Sequence, residues 1–140
     1  LGAGSAEYID GHAEKNKHHK GDADIRIIGT NIYVEATGPL TTAVGPEKAL
    51  WFRPDKIDNA VRNSSRDVFL AHHCMAADLW RVIHIDDEFK KKYLKGSYPV
   101  IAKNIRGRRE TYVEIKAEDP CVRPLAELVE YLKRTAQNYE

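Results

Sequence analysis

Acidic residues are disfavoured on β-strands, so several of them on one strand face need a chemical reason. Asp24-Ile-Arg-Ile-Ile28 and Asn31-Ile-Tyr-Val-Glu-Ala-Thr37 are two β-branched, alternating runs separated by Gly29-Thr30. Two such runs around a Gly-X pair predict a hairpin with a two-residue turn, Gly first. That turn sets Ile27 opposite Ile32 and Ile25 opposite Val34, four apolar side chains on one buried face. The other face carries Arg26 opposite Tyr33, Asp24 opposite Glu35 and, where pairing extends, Asp22 opposite Thr37. Directly opposed Cβ atoms lie ~4.5–5.5 Å apart. Like charges at that range need neutralising. A hard cation such as Mg²⁺ takes one or two carboxylates, waters and a substrate phosphate. Asp24, Glu35 and Asp22 are the expected metal ligands. The plainer alternative is a solvated face on which Arg26 pairs with Asp24 or Glu35.

The remaining elements must hold that hairpin. Residues 6–15 read as the end of a helix, weakened by Gly11. Residues 15–20 (KNKHHK) form a basic loop, and residues 38–48 a loop with two Gly-Pro pairs. Residues 49–53 read as a short strand. Pro54 suits the first turn of a helix reaching about Asn63, with Ile57, Ala60 and Val61 as its apolar stripe. Residues 67–73 and 79–85 read as strands, and residues 86–98 as a polar connection. Residues 99–105 and 111–117 read as a second hairpin around Arg106-Gly-Arg-Arg109. Residues 124–136 read as an amphipathic helix with Leu125, Leu128, Val129 and Leu132 toward the core. The order predicts an α/β fold, a mixed central β-sheet flanked by helices.

An Asp at position 24, ten intervening residues and then Glu35-Ala36-Thr37 on the next strand resembles the PD-(D/E)XK nuclease superfamily. In that family an Asp and a following E-x-K hold a metal and position a water, and a helix and a strand come next. The resemblance covers about residues 6–85 and implies a restriction-endonuclease-like single domain over residues 6–140. Residues 1–5 are set aside as a linker remnant or the cut edge of a longer chain. Thr37 stands where the family has lysine. Members of the family also supply that lysine from the next helix, which makes Lys56 the expected substitute and Arg53 the second. An acid on the preceding helix often joins the site, and Glu7 or Glu14 occupies that part of the chain. The resemblance implies a catalytic set of Asp24, Glu35 and Lys56, with Mg²⁺ or Mn²⁺ on Asp24, Glu35 and Asp22. The implied reaction is phosphodiester hydrolysis in DNA, by an endonuclease or exonuclease. Lys17, His19, Lys20, Arg53, Arg106 and Arg108 are the expected nucleic-acid contacts. The alternative is a nuclease-like module that has lost catalysis and binds nucleic acid or protein.

Competing constellations are weaker. Glu114-Ile-Lys116 is a literal E-x-K with Asp86 or Asp87 upstream, but only a loop and the last helix follow it. His72 and His73 are adjacent on a strand, so they point to opposite faces and cannot chelate together. One of them could line the cleft beside Glu35. Two cysteines among 140 residues exclude a disulfide scaffold and a four-cysteine zinc site, and they point to a reducing, cytoplasmic setting. A net charge of +1 from 22 basic and 21 acidic residues is not that of a nucleic-acid coat protein. No signal peptide is visible, and no apolar run of ~18 residues predicts a membrane span. Nuclease domains of this size often pair across two strands, so a homodimer through the last helix is an expectation.

Overall fold

The computed structural model describes residues 6–8 and 24–138. The chain order is β1 (Ala6–Tyr8), β2 (Ile25–Ile27), β3 (Ile32–Thr37), β4 (Leu50–Phe52), α1 (Pro54–Arg62), β5 (Asp67–Cys74), β6 (Leu79–His84), α2 (Asp87–Leu94), β7 (Val100–Ile105), β8 (Arg108–Ile115), β9 (Arg123–Pro124) and α3 (Leu125–Asn138). The fold is mixed α/β. A six-stranded sheet runs β1-β2-β3-β5-β6-β9, and a separate three-stranded sheet runs β4-β8-β7. The single sheet expected from sequence is therefore two sheets, because β4 pairs with β8 rather than joining the main ladder.

The first hairpin has the expected register, Ile25 opposite Val34 and Arg26 opposite Tyr33. Its turn sits one residue earlier than expected, on Ile28-Gly29. The Thr30 amide donates to the Ile27 carbonyl, and Gly29 takes the left-handed conformation that the third turn position requires. The register survives because four residues, not two, bridge the strands. Residues 6–8 form a strand against β2, not a helix end. β3 and β5 run parallel and are joined through α1, the crossover that parallel pairing requires.

The main sheet separates two cores. On one face Val68, Leu70 and Ile83 meet Leu50 and Phe52 of β4, Ile57 and Ala60 of α1, Phe89 of α2, and Val113 and Ile115 of β8. On the other face Ile32, Val34, Phe69 and Val82 meet Leu128 and Leu132 of α3. Leu125 and Val129 remain exposed, so α3 buries half of the stripe assigned to it. α2 replaces the polar connection expected over residues 86–98. Asp86 caps it through the Phe89 amide, with acids in its first turn and lysines in its last. Among the described residues no helix is long and apolar enough to cross a membrane.

Candidate functional site

Strand alternation puts Tyr33, Glu35 and Thr37 of β3 on the α1 face. Glu35 is buried there, although its neighbours along the strand are apolar. Asp24 lies one step beyond the paired residues of β2, and its Oδ2 accepts from the Ala36 amide at 3.1 Å. That bond holds Asp24 beside Glu35. Pro54 starts α1 so that its first turn faces β3, and Lys56 Nζ comes to 3.4 Å from Glu35 Oε1. Both side chains of this pair are nearly buried, at 11% and 9% exposure. Glu35 Oε2 is buried with no hydrogen-bond partner among the described residues.

The electrostatics follow from that placement. Burial pushes the Glu35 carboxyl up to about 8, and the Asp24 charge and a side-chain hydrogen bond shared with Asp24 push it the same way. Lys56 pulls it down through charge and a hydrogen bond without cancelling these effects. Two acids and one amine therefore meet in a largely buried cluster, one positive charge short among these three groups. A divalent cation fits that shortage. Asp24 and Glu35 are the carboxylates in reach, and the unpartnered Oε2 is a free ligand atom. Among the described residues no group of three or more His, Cys, Asp or Glu gathers as a metal site. The third ligand expected from sequence, Asp22, lies outside the described residues, as does Glu14. Glu7 sits on β1 at the register of Arg26.

The other expected contacts scatter. Lys17, His19 and Lys20 lie outside the described residues. The Arg53 guanidinium is held by Asp55 through two hydrogen bonds of 3.1 and 2.7 Å. Arg106 and Arg108 are exposed at the tight β7–β8 turn, where Arg106 and Gly107 are both left-handed. Thr37 is exposed at the end of β3. The second E-x-K does not form a cluster: Glu114 accepts from Trp51 Nε1 at 3.0 Å, and Asp86 caps α2. Burial and Asp119 push the Cys121 thiol up to about 12, which favours the protonated form over the thiolate.

Of the two histidines that the sequence leaves open for the Glu35 face, His72 is the one on it, and Arg81 escapes a reading of the sequence alone. His72 of β5 stands beside Thr37, and Arg81 of β6 stands beside His72. Burial, with Arg81 and His73, holds His72 down to about 4, so the ring is neutral near pH 7. Alternation narrows His72 to one of two faces. The parallel register that puts it next to Thr37 is set by packing across α1.

The fold and site define a mixed α/β domain with a carboxylate–lysine cluster on one sheet face. Comparison with protein-family models, curated proteins and solved structures finds no match for the chain.

Proposed function

We propose that this chain is a metal-dependent nuclease domain, restriction-endonuclease-like in its core, that hydrolyses phosphodiester bonds in DNA. The observation that carries the reading is the meeting of Asp24, just before β2, Glu35 of β3 and Lys56 of α1 around a carboxylate oxygen with no hydrogen-bond partner among the described residues. An Asp just before a strand, a strand with Glu, a crossover helix and a parallel strand is close to the element order the resemblance implies.

Asp24 and Glu35 would hold Mg²⁺ or Mn²⁺, which supplies a bound water of lowered pKa and offsets charge on the phosphate. Glu35 must be ionised to act as a ligand, so the proton it carries below about pH 8 leaves as the site loads. Lys56 offers an ammonium at the same carboxylate. From there it can orient the attacking water or stabilise charge on the transferring phosphoryl group. Thr37 leaves that role vacant on β3, and α1 supplies it.

The test is cleavage of supercoiled plasmid and labelled single strands in Mg²⁺, Mn²⁺ or EDTA, beside Glu35→Ala and Lys56→Ala. Metal-dependent cutting lost in Glu35→Ala supports the enzyme. Cutting that persists in Glu35→Ala overturns the site. The second reading, a nuclease-like binding module, draws on the burial that keeps Glu35 protonated near pH 7. DNA binding without cutting in any metal supports that one.

A further inference from the structure

Buried polar groups are almost always hydrogen-bonded, so the exceptions ask for an explanation. Among the described residues three buried side-chain atoms have no partner: Glu35 Oε2, His72 Nδ1 and Arg81 Nε. All three lie on the same face of the main sheet. Glu35 registers with Leu70 and Leu70 with Ile83, which makes one row across β3, β5 and β6. Thr37 registers with His72 and His72 with Arg81, which makes the next row. On the α3 face no buried side-chain atom of a described residue is left in this state.

The chemistry changes from one row to the next. The first row offers a carboxylate, which takes cations. The second offers a guanidinium N–H and an imidazole nitrogen, with exposed Thr37 next in register. Arg81 makes no ion pair among the described residues; its Nη1 donates to the Pro46 carbonyl at 2.9 Å, and its Nε is left over. A guanidinium presents its N–H groups in a fork that matches the oxygens of a phosphate. His72 is 5% exposed and packs edge-on against Phe52, with ring centroids 5.8 Å apart, which holds the ring plane in place.

We infer that Arg81 and His72 form a phosphate-binding subsite that takes the phosphate next to the cleaved one in a nucleic-acid strand. The identity of the strand rests on the nuclease reading above; the anion chemistry does not. His72 is a diagonal neighbour of Glu35, at roughly 7–8 Å, and Arg81 lies one strand further on, so the subsite addresses a different phosphate from the one at Glu35 and Lys56. Arg81 supplies the charge. The neutral His72 ring supplies a directional hydrogen bond in the tautomer that protonates Nδ1. The loop of residues 38–48 closes one side, tied down by Cys74 Sγ donating to the Val44 carbonyl and by the Arg81–Pro46 bond.

The experiment titrates inorganic phosphate into the full chain against sodium chloride of equal ionic strength. It follows the melting temperature and the ring resonances of His72 by NMR. Phosphate is expected to raise the melting temperature beyond the chloride control and to shift the His72 signals. Arg81→Gln is expected to weaken phosphate binding on the order of tenfold or more, as loss of a charge-assisted hydrogen bond does. His72→Phe, which keeps the ring contact with Phe52, is expected to weaken it less. Unmoved His72 resonances in the parent chain overturn the subsite without relying on any variant, and so does an equal phosphate response in Arg81→Gln. Plasmid cleavage run in parallel separates the two readings. Cutting without a phosphate response removes the subsite alone, and a phosphate response without cutting keeps the subsite while removing the enzyme.

Discussion

The two faces of the main sheet each carry a carboxylate partly withdrawn from water, and they treat it in opposite ways. On the α3 face, Asp67 accepts from His84 Nε2 at 2.5 Å and from the Tyr131 hydroxyl. Burial pushes its carboxyl up, but those hydrogen bonds and the His84 charge outweigh burial and hold it below the ordinary value. The His84 ring is stacked on Phe69 at 4.1 Å and meets Tyr131 edge-on, so the network is closed and fixed by packing. On the α1 face Glu35 is raised to about 8 and keeps an oxygen without a partner. A cavity of about 580 Å³ opens beside His84 and Tyr131, on the satisfied side. A closed network stabilises the fold, whereas an incomplete one leaves ligand atoms for something outside the chain.

Substitutions should separate the faces. The largest effect is expected on activity from the α1 face. Glu35→Ala should bring metal-dependent cutting of plasmid to background, and Lys56→Ala should slow it about 10²–10³-fold, the cost of removing one group that stabilises developing charge. Both proteins should keep the parent's circular dichroism. Next comes Asp67→Ala. It leaves His84 and Tyr131 without their shared acceptor and should lower stability by about 1–3 kcal/mol in urea unfolding. Cutting at a temperature well below the melting transition should stay near the parent's. The contrast between the faces fails if Asp67→Ala costs activity with stability intact.

A smaller effect has the opposite sign. The Glu35 carboxyl is raised in the folded chain from about 4.5 to about 8. Below pH 4.5 both folded and unfolded chains hold the proton, and the site costs nothing. As pH climbs toward 8 the unfolded chain releases the proton while the folded chain keeps it, so stability falls through that window. Glu35→Gln should therefore melt a few degrees above the parent at pH 8 and at about the same temperature at pH 4.5. A variant that is less stable at pH 8 would make Glu35 part of the scaffold and erase the distinction from Asp67.

Much of the site's first row is legible in the sequence. Period-two alternation and a glycine-marked turn give the hairpin register, although the turn itself sits one residue earlier, and that register brings Asp24 beside Glu35. Lys56 is reached through the resemblance, which points to a lysine on the next helix, and Pro54 marks where that helix starts. The second row is not legible in this way. Its register depends on a parallel pairing across α1, which no turn specifies. The split into two sheets is equally hidden, because Leu50-Trp-Phe52 reads as a strand whichever partner it takes. α2 escapes because Phe89 is its one buried residue, and the Asp86 cap and charge order define it instead of an apolar stripe.

The smallest effect tests whether the second row behaves like the first. His72 is held down to about 4 from an ordinary 6.5, mainly by burial. As pH falls below 6.5 the unfolded chain takes up a proton that the folded chain refuses until about 4, so stability drops across that interval. Glu35 acts the other way between pH 8 and 4.5, and the two partly cancel in the parent where the windows overlap. Asp67 does not interfere above its ordinary 3.8, since the stability it adds is lost only below that pH. The clean measurement is made in the Glu35→Gln background, comparing urea midpoints at pH 7 and pH 4.5 with and without His72→Phe. With the histidine in place the chain should lose roughly 1–3 kcal/mol more over that span than with His72→Phe, because a tenfold change in proton affinity is worth about 1.4 kcal/mol. Equal losses would mean that the ring reaches water and takes its proton freely. The second row would then be an ordinary wet edge of the sheet, and the Glu35 face would hold one incomplete group.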